Sequence, residues 1–466
     1  MSQHLSDPSS LDRRQFLQWS AAAGAAGLLY ATQSHARTLS TDARIVIIGG
    51  GAGGMAMANR LARRLDGARI SLIEPSETHF YQPGYTLVAS GVWRAEQTAR
   101  PNTQFVPRGV DWVRQPATGI DAANRRVELS DGSQLDYDYL IVASGLQLNY
   151  HLIDGMTPEL VGSHGIGSVY AGMQAAARTS DAIDTWVAQG GGKGIFTAAA
   201  TPVKCAGAPL KMTFTTLSRL EASGHRDAFE MEFMAPGLGL FTQPYVDQFV
   251  KQRFDEQGVT RRHHYRLSAI DPQAREAEFT FVGPDSEFTS HHQLREQEFR
   301  GEGEGERKVV TDYDFIHVVP PMSAPDFIKA SELIAEDGPF RGEWLDVDIH
   351  TLQHNRYPEV FGIGDVIGAP INKTAASVKA QAPVVEANLV AQIQGQALPL
   401  RHNGYTSCPM ITGIGKAMLV EFGYDDNFAF LPSFPFIDPR EESWAAWVMK
   451  DRMLQPAYYA VLEGQA

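Results

Sequence analysis

The sequence predicts an α/β fold in which two halves each repeat a strand–helix rhythm, followed by a helical C-terminal region. A β run at 44–48, a glycine loop, a helix and a second β run at 70–73 form one βαβ unit. The same rhythm returns between 194 and 257, and strand-like runs follow at 315–319 and 360–364. Because strands of the first half resume this late, we expect the second half to interrupt the first.

The composition excludes several classes of protein. A chain of 466 residues predicts two or three domains at roughly 100–200 residues each. The 54 acidic and 40 basic residues give a net charge of −14, which argues against a nucleic-acid partner, because phosphate binding needs a basic surface. Beyond the first 36 residues, the sequence has no uninterrupted run of about 18 apolar residues, so no transmembrane helix is predicted. The histidine pairs at 263–264 and 291–292 have no metal-ligand spacing around them, and we expect them at the surface.

The first 36 residues have the layout of an export signal. Residues 12–17 carry a twin-arginine pattern, 19–32 are mildly apolar, and 34–36 end with small residues at the two outer positions. The alternative is a poorly ordered tail. An export signal predicts an oxidising compartment, in which a disulfide persists.

The glycine loop predicts a dinucleotide site. Gly49, Gly51 and Gly54 satisfy G-x-G-x-x-G directly after a strand and at the start of a helix. The first glycine permits the tight turn, the second lets the backbone approach a pyrophosphate, and the third allows close packing of helix on strand. Glu74 ends the next strand, where a carboxylate accepts hydrogen bonds from an adenosine ribose. The first half is therefore predicted to be Rossmann-like.

The second half has no such loop. Residues 197–202 read Thr-Ala-Ala-Ala-Thr-Pro, and without glycines the backbone cannot approach a pyrophosphate closely. Pro202 also removes a donor N–H. We therefore expect a second Rossmann-like domain without a nicotinamide cofactor, so that electrons enter from another source.

The chain contains two cysteines, Cys205 and Cys408. In an exported protein they most simply form one disulfide, which is either an inert staple or redox-active. Cys205 lies beside Lys204 at the predicted start of a helix, and both a cation and a helix N-terminus lower the pKa of a thiol. This setting favours chemistry at the pair.

Two segments resemble the flavoproteins with two dinucleotide-binding domains. Residues 139–145 look like the strand that crosses beneath FAD, and 351–365 look like the second FAD motif of that class. The resemblance implies that the cofactor is FAD, with Gly145 and Asp365 among the residues that bind it.

Five further segments resemble the sulfide:quinone oxidoreductase family, in particular its mitochondrial branch. They run in order along the chain and include both cysteines: 80–88, 201–209, 317–322, 373–376 and 405–413. The resemblance implies a redox-active cysteine pair that transfers electrons from sulfide to FAD and then to quinone, with zero-valent sulfur passed to an acceptor.

The same resemblance implies a role for each site residue. Cys205 carries the persulfide, and Cys408 is the thiolate on the flavin side. Gln82 lies beside the flavin, and Lys373 stabilises negative charge on the reduced flavin, the alternative being a surface lysine at a helix start. Many bacterial members have a third cysteine, in some linked covalently to FAD; this chain has none, which predicts non-covalent FAD.

The sequence of the C-terminal region indicates which molecule accepts the electrons. An aromatic amphipathic helix there is expected to lie in a membrane interface, with Lys450 and Arg452 at lipid headgroups, so that quinone is the acceptor. Core or dimer packing is the other interpretation, and a homo-oligomer is left open. The alternative function is the flavoprotein subunit of a flavocytochrome c sulfide dehydrogenase, a relative in which a twin-arginine signal is more familiar. The expected helical face contains Trp444, Trp447, Val448, Leu454, Tyr458 and Leu462.

We therefore predict four parts in a periplasmic protein held peripherally on the membrane. Residues 1–40 are the signal and a linker, and 41–150 with 325–400 form a discontinuous FAD-binding domain. Residues 151–324 form the second Rossmann-like domain, and 401–466 form a C-terminal region with Cys408 and the amphipathic helices.

Overall fold

The computed structural model describes residues 38–284, 295–298, 307–371 and 373–465. The predicted signal at 1–36 and the histidine pair at 291–292 lie outside the described residues. The main strands are β1 Arg44–Ile48, β2 Arg69–Ile73, β3 Asp111–Val113, β4 Tyr139–Val142, β5 Ile166–Gly167, β6 Gly192–Thr197, β7 Phe229–Ala235, β8 Val259–His263, β9 Phe315–His317, β10 Val360–Gly362, β11 Thr406–Gly413 and β12 Lys416–Phe422. The main helices are α1 Ala52–Arg64, α2 Met173–Ala188, α3 Ala208–Ala222, α4 Pro244–Glu256, α5 Ala375–Ile393, α6 Trp444–Val448 and α7 Leu454–Leu462.

The first of two parallel sheets has five strands in the order β10-β4-β1-β2-β3. Its central strand β1 is an apolar run of which Ile45 to Ile48 are buried, as expected for a parallel sheet covered on both faces. Strand β10 comes after the second sheet in sequence yet pairs with β4. The carboxyl ends of β1, β4 and β10 therefore meet at one edge of this sheet.

The second sheet is also parallel and has the order β5-β9-β6-β7-β8. Thr197 at the end of β6 ties it to the neighbouring strand. Its hydroxyl donates to His317 O at 3.0 Å and accepts from Val319 N–H at 3.0 Å. The two parallel sheets confirm the predicted α/β fold.

Antiparallel sheets complete the fold. Residues 117–121, 126–129 and 134–136 form a three-stranded antiparallel sheet, and the segment 295–298 pairs as an edge strand with 307–310. The strands of the three-stranded sheet are Ala117–Asp121, Arg126–Leu129 and Gln134–Asp136, and those of a four-stranded sheet are Tyr265–Asp271, Glu276–Phe281, Arg307–Asp312 and Arg295–Glu298. Strands β11 and β12 form a hairpin, Thr78–Phe80 pairs with Ala99–Pro101, Gln147–Leu148 pairs with Met322–Ser323, and the short strands Leu39–Ser40 and Leu65–Asp66 form a parallel pair. Two short helices are Tyr85–Ala89 and Asp326–Lys329.

The C-terminal helix is divided by a π-helix, Met449–Met453, between α6 and α7. The residues of the predicted apolar face therefore do not share one environment. Trp447, Tyr458 and Leu462 are buried in the core, whereas Trp444 is 42% exposed. Arg63 of α1 fixes the end of α7 by donating to the Glu463 and Gly464 carbonyls. Within the described ranges, no helix is both long enough and apolar enough to cross a membrane.

Candidate functional site

The turn between β1 and α1 is closed on one side and open on the other. Gly49 has φ +98°, and a Cβ on Gly54 would lie 1.7 Å from Gly49 O, so neither position accepts a side chain. A Cβ on Gly51, in contrast, would meet no heavy atom within 4 Å. The helix N-terminus at Gly51 therefore faces open space, as a pyrophosphate site requires.

Glu74 lies at the end of β2, as predicted, and also closes the glycine turn. Its Oε2 accepts Gly50 N–H at 2.7 Å, and its Oε1 accepts Ser76 N–H at 2.7 Å. Each oxygen keeps a second lone pair. The carboxylate is thus oriented by backbone donors and can still accept hydrogen bonds from ribose hydroxyls.

Buried polar groups without partners surround the same sheet edge. Ser144 Oγ, next to Gly145, and Gln381 Nε2 are both buried and have no hydrogen-bond partner in the described part of the chain. Gln381 Oε1 accepts Gly364 N–H at 2.9 Å, which places the unpaired amide beside Asp365. Since buried polar groups are normally satisfied, these atoms mark a volume that a polar ligand occupies. The residues present fit FAD.

Lys373 is not a surface lysine at a helix start, because only 6% of it is exposed. Its ammonium donates to Asp365 O at 2.7 Å and Ile367 O at 2.9 Å, and it lies 3.4 Å from the centre of the Trp344 ring. Burial lowers the pKa of Lys373 to about 7. The side chain is therefore held in one position, and near neutral pH only part of the molecules carry its positive charge.

A polar network joins this region to the first cysteine. Burial raises the pKa of Asp365, and the charges of Lys204 and Lys373 oppose that rise. Lys204 Nζ donates to Gln82 Oε1 at 2.7 Å, and Cys205 N–H donates to Lys373 O at 2.9 Å. Gln82, the adjacent residues Lys204 and Cys205, and the segment from Asp365 to Lys373 are therefore linked in space.

The two cysteines lie together as free thiols. Cys205 is half-exposed, with a left-handed φ of +49°, and Cys408 in β11 is only 6% exposed. Each thiol interacts with the other through a hydrogen bond. The predicted proximity is thus observed, while the disulfide itself stays a prediction.

The charge of the pair resides on Cys205. The hydrogen bond from Cys408 holds the pKa of Cys205 well below its usual range despite burial, and the charges of Lys211 and Lys450 lower it further. Donating that hydrogen bond, together with burial, raises the pKa of Cys408. Lys211 Nζ lies 3.3 Å from Cys205 Sγ. Sequence reasoning named Lys204 as the activating cation; Lys204 turns instead to Gln82.

Two lysines of this site were missed or misplaced by the sequence prediction. Lys211 is a cation in the otherwise apolar first turns of α3, which is the signal that could have found it. Lys450 was expected at lipid headgroups, and that expectation is wrong. The π-helix directs it inward, where it is buried and donates to Pro83 O. Arg452 does point outward.

The histidine pair at 263–264 contributes no metal site in the structure. His263 Nδ1 lies 3.0 Å from Gly237 O, and both residues are only partly exposed. Among the residues described, no group of three or more His, Cys, Asp or Glu side chains is placed to hold a metal ion.

Comparisons with known proteins identify the family of the chain. The family described as pyridine nucleotide-disulphide oxidoreductase matches residues 43–208, and the twin-arginine translocation pathway signal sequence matches residues 10–30. The mitochondrial sulfide:quinone oxidoreductase of Mus musculus is 33% identical over 91% of this chain and 87% of its own length. The corresponding protein of Dictyostelium discoideum is 33% identical over 93% and 89%. The solved structure of sulfide:quinone oxidoreductase from Aquifex aeolicus has a TM-score of 0.69 at 20% identity, covering 91% of this chain and 92% of that one.

The fold and the open glycine turn define a nucleotide-binding oxidoreductase. The identity to full-length relatives is more specific: the chain belongs to the sulfide:quinone oxidoreductase family. The predicted family and the class of enzyme, an FAD-dependent oxidoreductase, are confirmed. Non-covalent attachment of FAD, membrane association and a homo-oligomer stay predictions.

Proposed function

We propose that this protein oxidises sulfide to zero-valent sulfur at Cys205 and Cys408 and passes the electrons through FAD to a membrane quinone. The observation that carries the proposal is the contact of Lys211 with a hydrogen-bonded cysteine pair, at 3.3 Å from Cys205 Sγ. The named activity of the relatives supports the choice of sulfide and quinone.

The reaction begins when hydrosulfide attacks Cys205 in the oxidised pair. The bond between the two cysteine sulfurs breaks, Cys205 gains the incoming sulfur as a persulfide, and Cys408 leaves as a thiolate. Lys211 is buried beside both sulfurs, and these thiols raise the pKa of its ammonium although burial alone would lower it. Its positive charge therefore stabilises the thiolate that is released.

The cycle closes when a nucleophilic acceptor removes the outer sulfur from Cys205. Re-forming the bond between Cys205 and Cys408 then releases two electrons. FAD, when bound, supplies a two-electron carrier between the pair and quinone. Lys373, a buried cation fixed by two carbonyls, is the residue of this chain placed to balance negative charge on that carrier.

We further propose that the protein works in the periplasm, attached peripherally to the membrane. The twin-arginine match at 10–30 supports export. Large apolar side chains lie exposed in the C-terminal region, among them Phe436 at 47% and Met453 at 42%. Such side chains insert into a lipid interface, where quinone is dissolved.

The decisive experiment is an anaerobic titration of the FAD-loaded protein with sulfide. Stoichiometric sulfide should bleach the flavin absorbance, and a short-chain quinone should restore it. In C205S and C408S the rate of bleaching should fall by about 1,000-fold or more, since each variant removes a reacting sulfur. Ser407→Ala, one position from Cys408 on the same strand, is the matched control and should react normally.

Three results would contradict the proposal in different ways. Full turnover in C408S would show that the reaction does not pass through the cysteine pair. Unchanged flavin absorbance on adding sulfide indicates an inert pair. Reduction of a c-type cytochrome without reduction of quinone supports the flavocytochrome alternative.

A further inference from the structure

A surface loop, 236–242, lies between β7 and α4 and is fixed at both ends. Asp247 Oδ1 accepts the N–H groups of Leu240 at 2.6 Å and Phe241 at 3.1 Å. At the other end, Gly237 O lies 3.0 Å from His263 Nδ1. The loop therefore has a defined shape, and it directs Phe241 toward the cysteine pair.

The position of Gly207 shows how close that approach is. A Cβ at Gly207 would lie 2.7 Å from Cys408 Sγ, 2.9 Å from Met410 Cε and 3.4 Å from Phe241 Cε2. The sulfur, the thioether methyl group and the edge of the phenyl ring thus converge on one point. Only glycine leaves room for all three groups.

The two cysteines differ in exposure on this side of the molecule. Cys205 is half-exposed and is followed by the exposed Ala206, whereas Cys408 is buried. Phe241 is itself half-buried and is followed by the exposed Thr242. Phe241 is therefore partly exposed to solvent, and its ring approaches the same point beside Gly207 as the sulfur of Cys408.

We propose that Phe241 is a specificity-determining residue that closes Cys408 to solutes and limits the size of the acceptor that reaches Cys205. The inference rests on the proposed function. In the transfer step, the acceptor's nucleophilic atom attacks the outer sulfur of the Cys205 persulfide. A bond from the acceptor to that sulfur forms, the sulfur–sulfur bond breaks, and Cys205 leaves as a thiolate beside Lys211. Phe241 Cε2 lies 3.4 Å from the position that a Cβ on Gly207 would take, two residues along the chain from Cys205, so the ring narrows the approach to the cysteine pair.

Chemical labelling tests the closure without any sulfide reaction. The reduced, FAD-loaded protein is treated with iodoacetamide, and labelling of Cys205 and Cys408 is followed by peptide mass spectrometry. Phe241→Ala should speed labelling of Cys408 by about 10-fold, because reactivity follows exposure. Phe249→Ala removes the same atoms from a half-buried phenylalanine on α4 and should leave labelling as in the wild type. An unchanged Cys408 rate in F241A overturns the proposal.

A graded series protects the test against misfolding of one variant. Phe241→Leu should give an intermediate rate and Phe241→Trp a rate at or below that of the wild type. Rates that do not follow the size of the side chain overturn the proposal even if F241A fails to fold. Since labelling needs neither sulfide nor quinone, failure here is separate from failure of the proposed function.

Turnover then tests the limit on acceptor size. With sulfide and a short-chain quinone, sulfite serves as the small acceptor and glutathione as the bulky one. F241A should raise the ratio of kcat/KM for glutathione to that for sulfite by about 10-fold, with F249A unchanged. If the ratio stays constant while both acceptors react, the size limit is wrong and the proposed function stands.

Discussion

Lys211 adds to the effect of Cys408 on the charge state of Cys205, because its positive charge also lowers the pKa of that thiol. A cation within about 4–6 Å lowers the pKa of a thiol by roughly 1–3 units, and here the separation is 3.3 Å. Lys211→Met should therefore raise the pKa of Cys205, moving the pH profile of its alkylation to higher pH by about 1 unit or more. Lys379→Met, an exposed lysine on α5, is the control and should leave the profile in place. Superimposable profiles for K211M and wild type would show that Cys408 and Lys450 lower the pKa of Cys205 without help from Lys211.

Lys373 should make stability depend on pH in a defined window. Its folded pKa is about 7, below the value of 10.5 in an unfolded chain. Between these two values the unfolded state binds the proton that the folded state has released, so the free energy of unfolding rises with pH there. Relative to Lys373→Met, the wild type should gain thermal stability from about pH 7 to about pH 9. Melting temperatures across that range measure the gain, and parallel curves for the two proteins would contradict it.

Individual site residues were predictable where a local motif names them. The glycines and Glu74 follow from one βαβ pattern, and both cysteines stand out because the chain has no others. Lys211 and Lys450 were not predictable in the same way, because their roles depend on tertiary contacts with sulfurs and with Pro83. The apolar residues around Lys211 indicate that it is unusual, but nothing local shows that its partner is a cysteine sulfur.

The β1–α1 turn is the element whose sequence most directly fixes its geometry. Gly54 has backbone 1.7 Å from the position of a Cβ, whereas Gly51 has open space there. Gly54→Ala should therefore disturb the turn and lower the melting temperature. Gly51→Ala should fold normally yet bind FAD at least about 10-fold more weakly, because the added methyl group occupies the ligand's space. The absorbance ratio of flavin to protein, with the melting temperature of the apoprotein, separates the two cases. Full FAD content in G51A would place the cofactor elsewhere.

The strands β1 and β2 were predicted well, because each is a short apolar run on either side of the glycine loop and its helix. The π-helix at Met449–Met453 was not. An α-helix turns about 100° per residue, so an amphipathic pattern read at that period placed Lys450 outside. The wider π turn instead buries Met449, Lys450 and Asp451 in succession, and Asp451 accepts the indole N–H of Trp93 at 2.6 Å. π-helices occur frequently at functional sites, and this one supplies a cation to the cysteine pair.

At the scale of the whole molecule, the exposed apolar residues of the C-terminal region predict how the protein meets lipid. Replacing Phe436 and Met453 by serine should weaken co-sedimentation with vesicles by about 10-fold for each side chain. Leu400→Ser, an equally exposed residue outside the C-terminal helices, is the matched control. Reduction of a water-soluble quinone should persist in the double variant while reduction of a long-chain quinone in vesicles falls. Undiminished vesicle binding would assign these side chains to another surface.

Part of the architecture followed from order along the chain, since the strand at 360–364 was predicted to belong to the discontinuous first domain. The return of β10 to β4 is an arrangement of this kind. The order of the elements along the chain could not predict the contacts between the two halves. The hydrogen bond from Cys205 N–H to Lys373 O depends on loop conformations, including a left-handed cysteine, that no periodicity encodes.

That hydrogen bond has a consequence for biosynthesis. A ribosome releases Cys205 well before Lys373, Cys408 and Lys450, which supply its backbone partner, the second sulfur and a stabilising cation. A nascent chain therefore holds an unpaired thiol until its last helices fold back onto the first. The reactive centre is completed only in the finished polypeptide, so a chain that crosses a membrane already folded would carry its chemistry fully assembled.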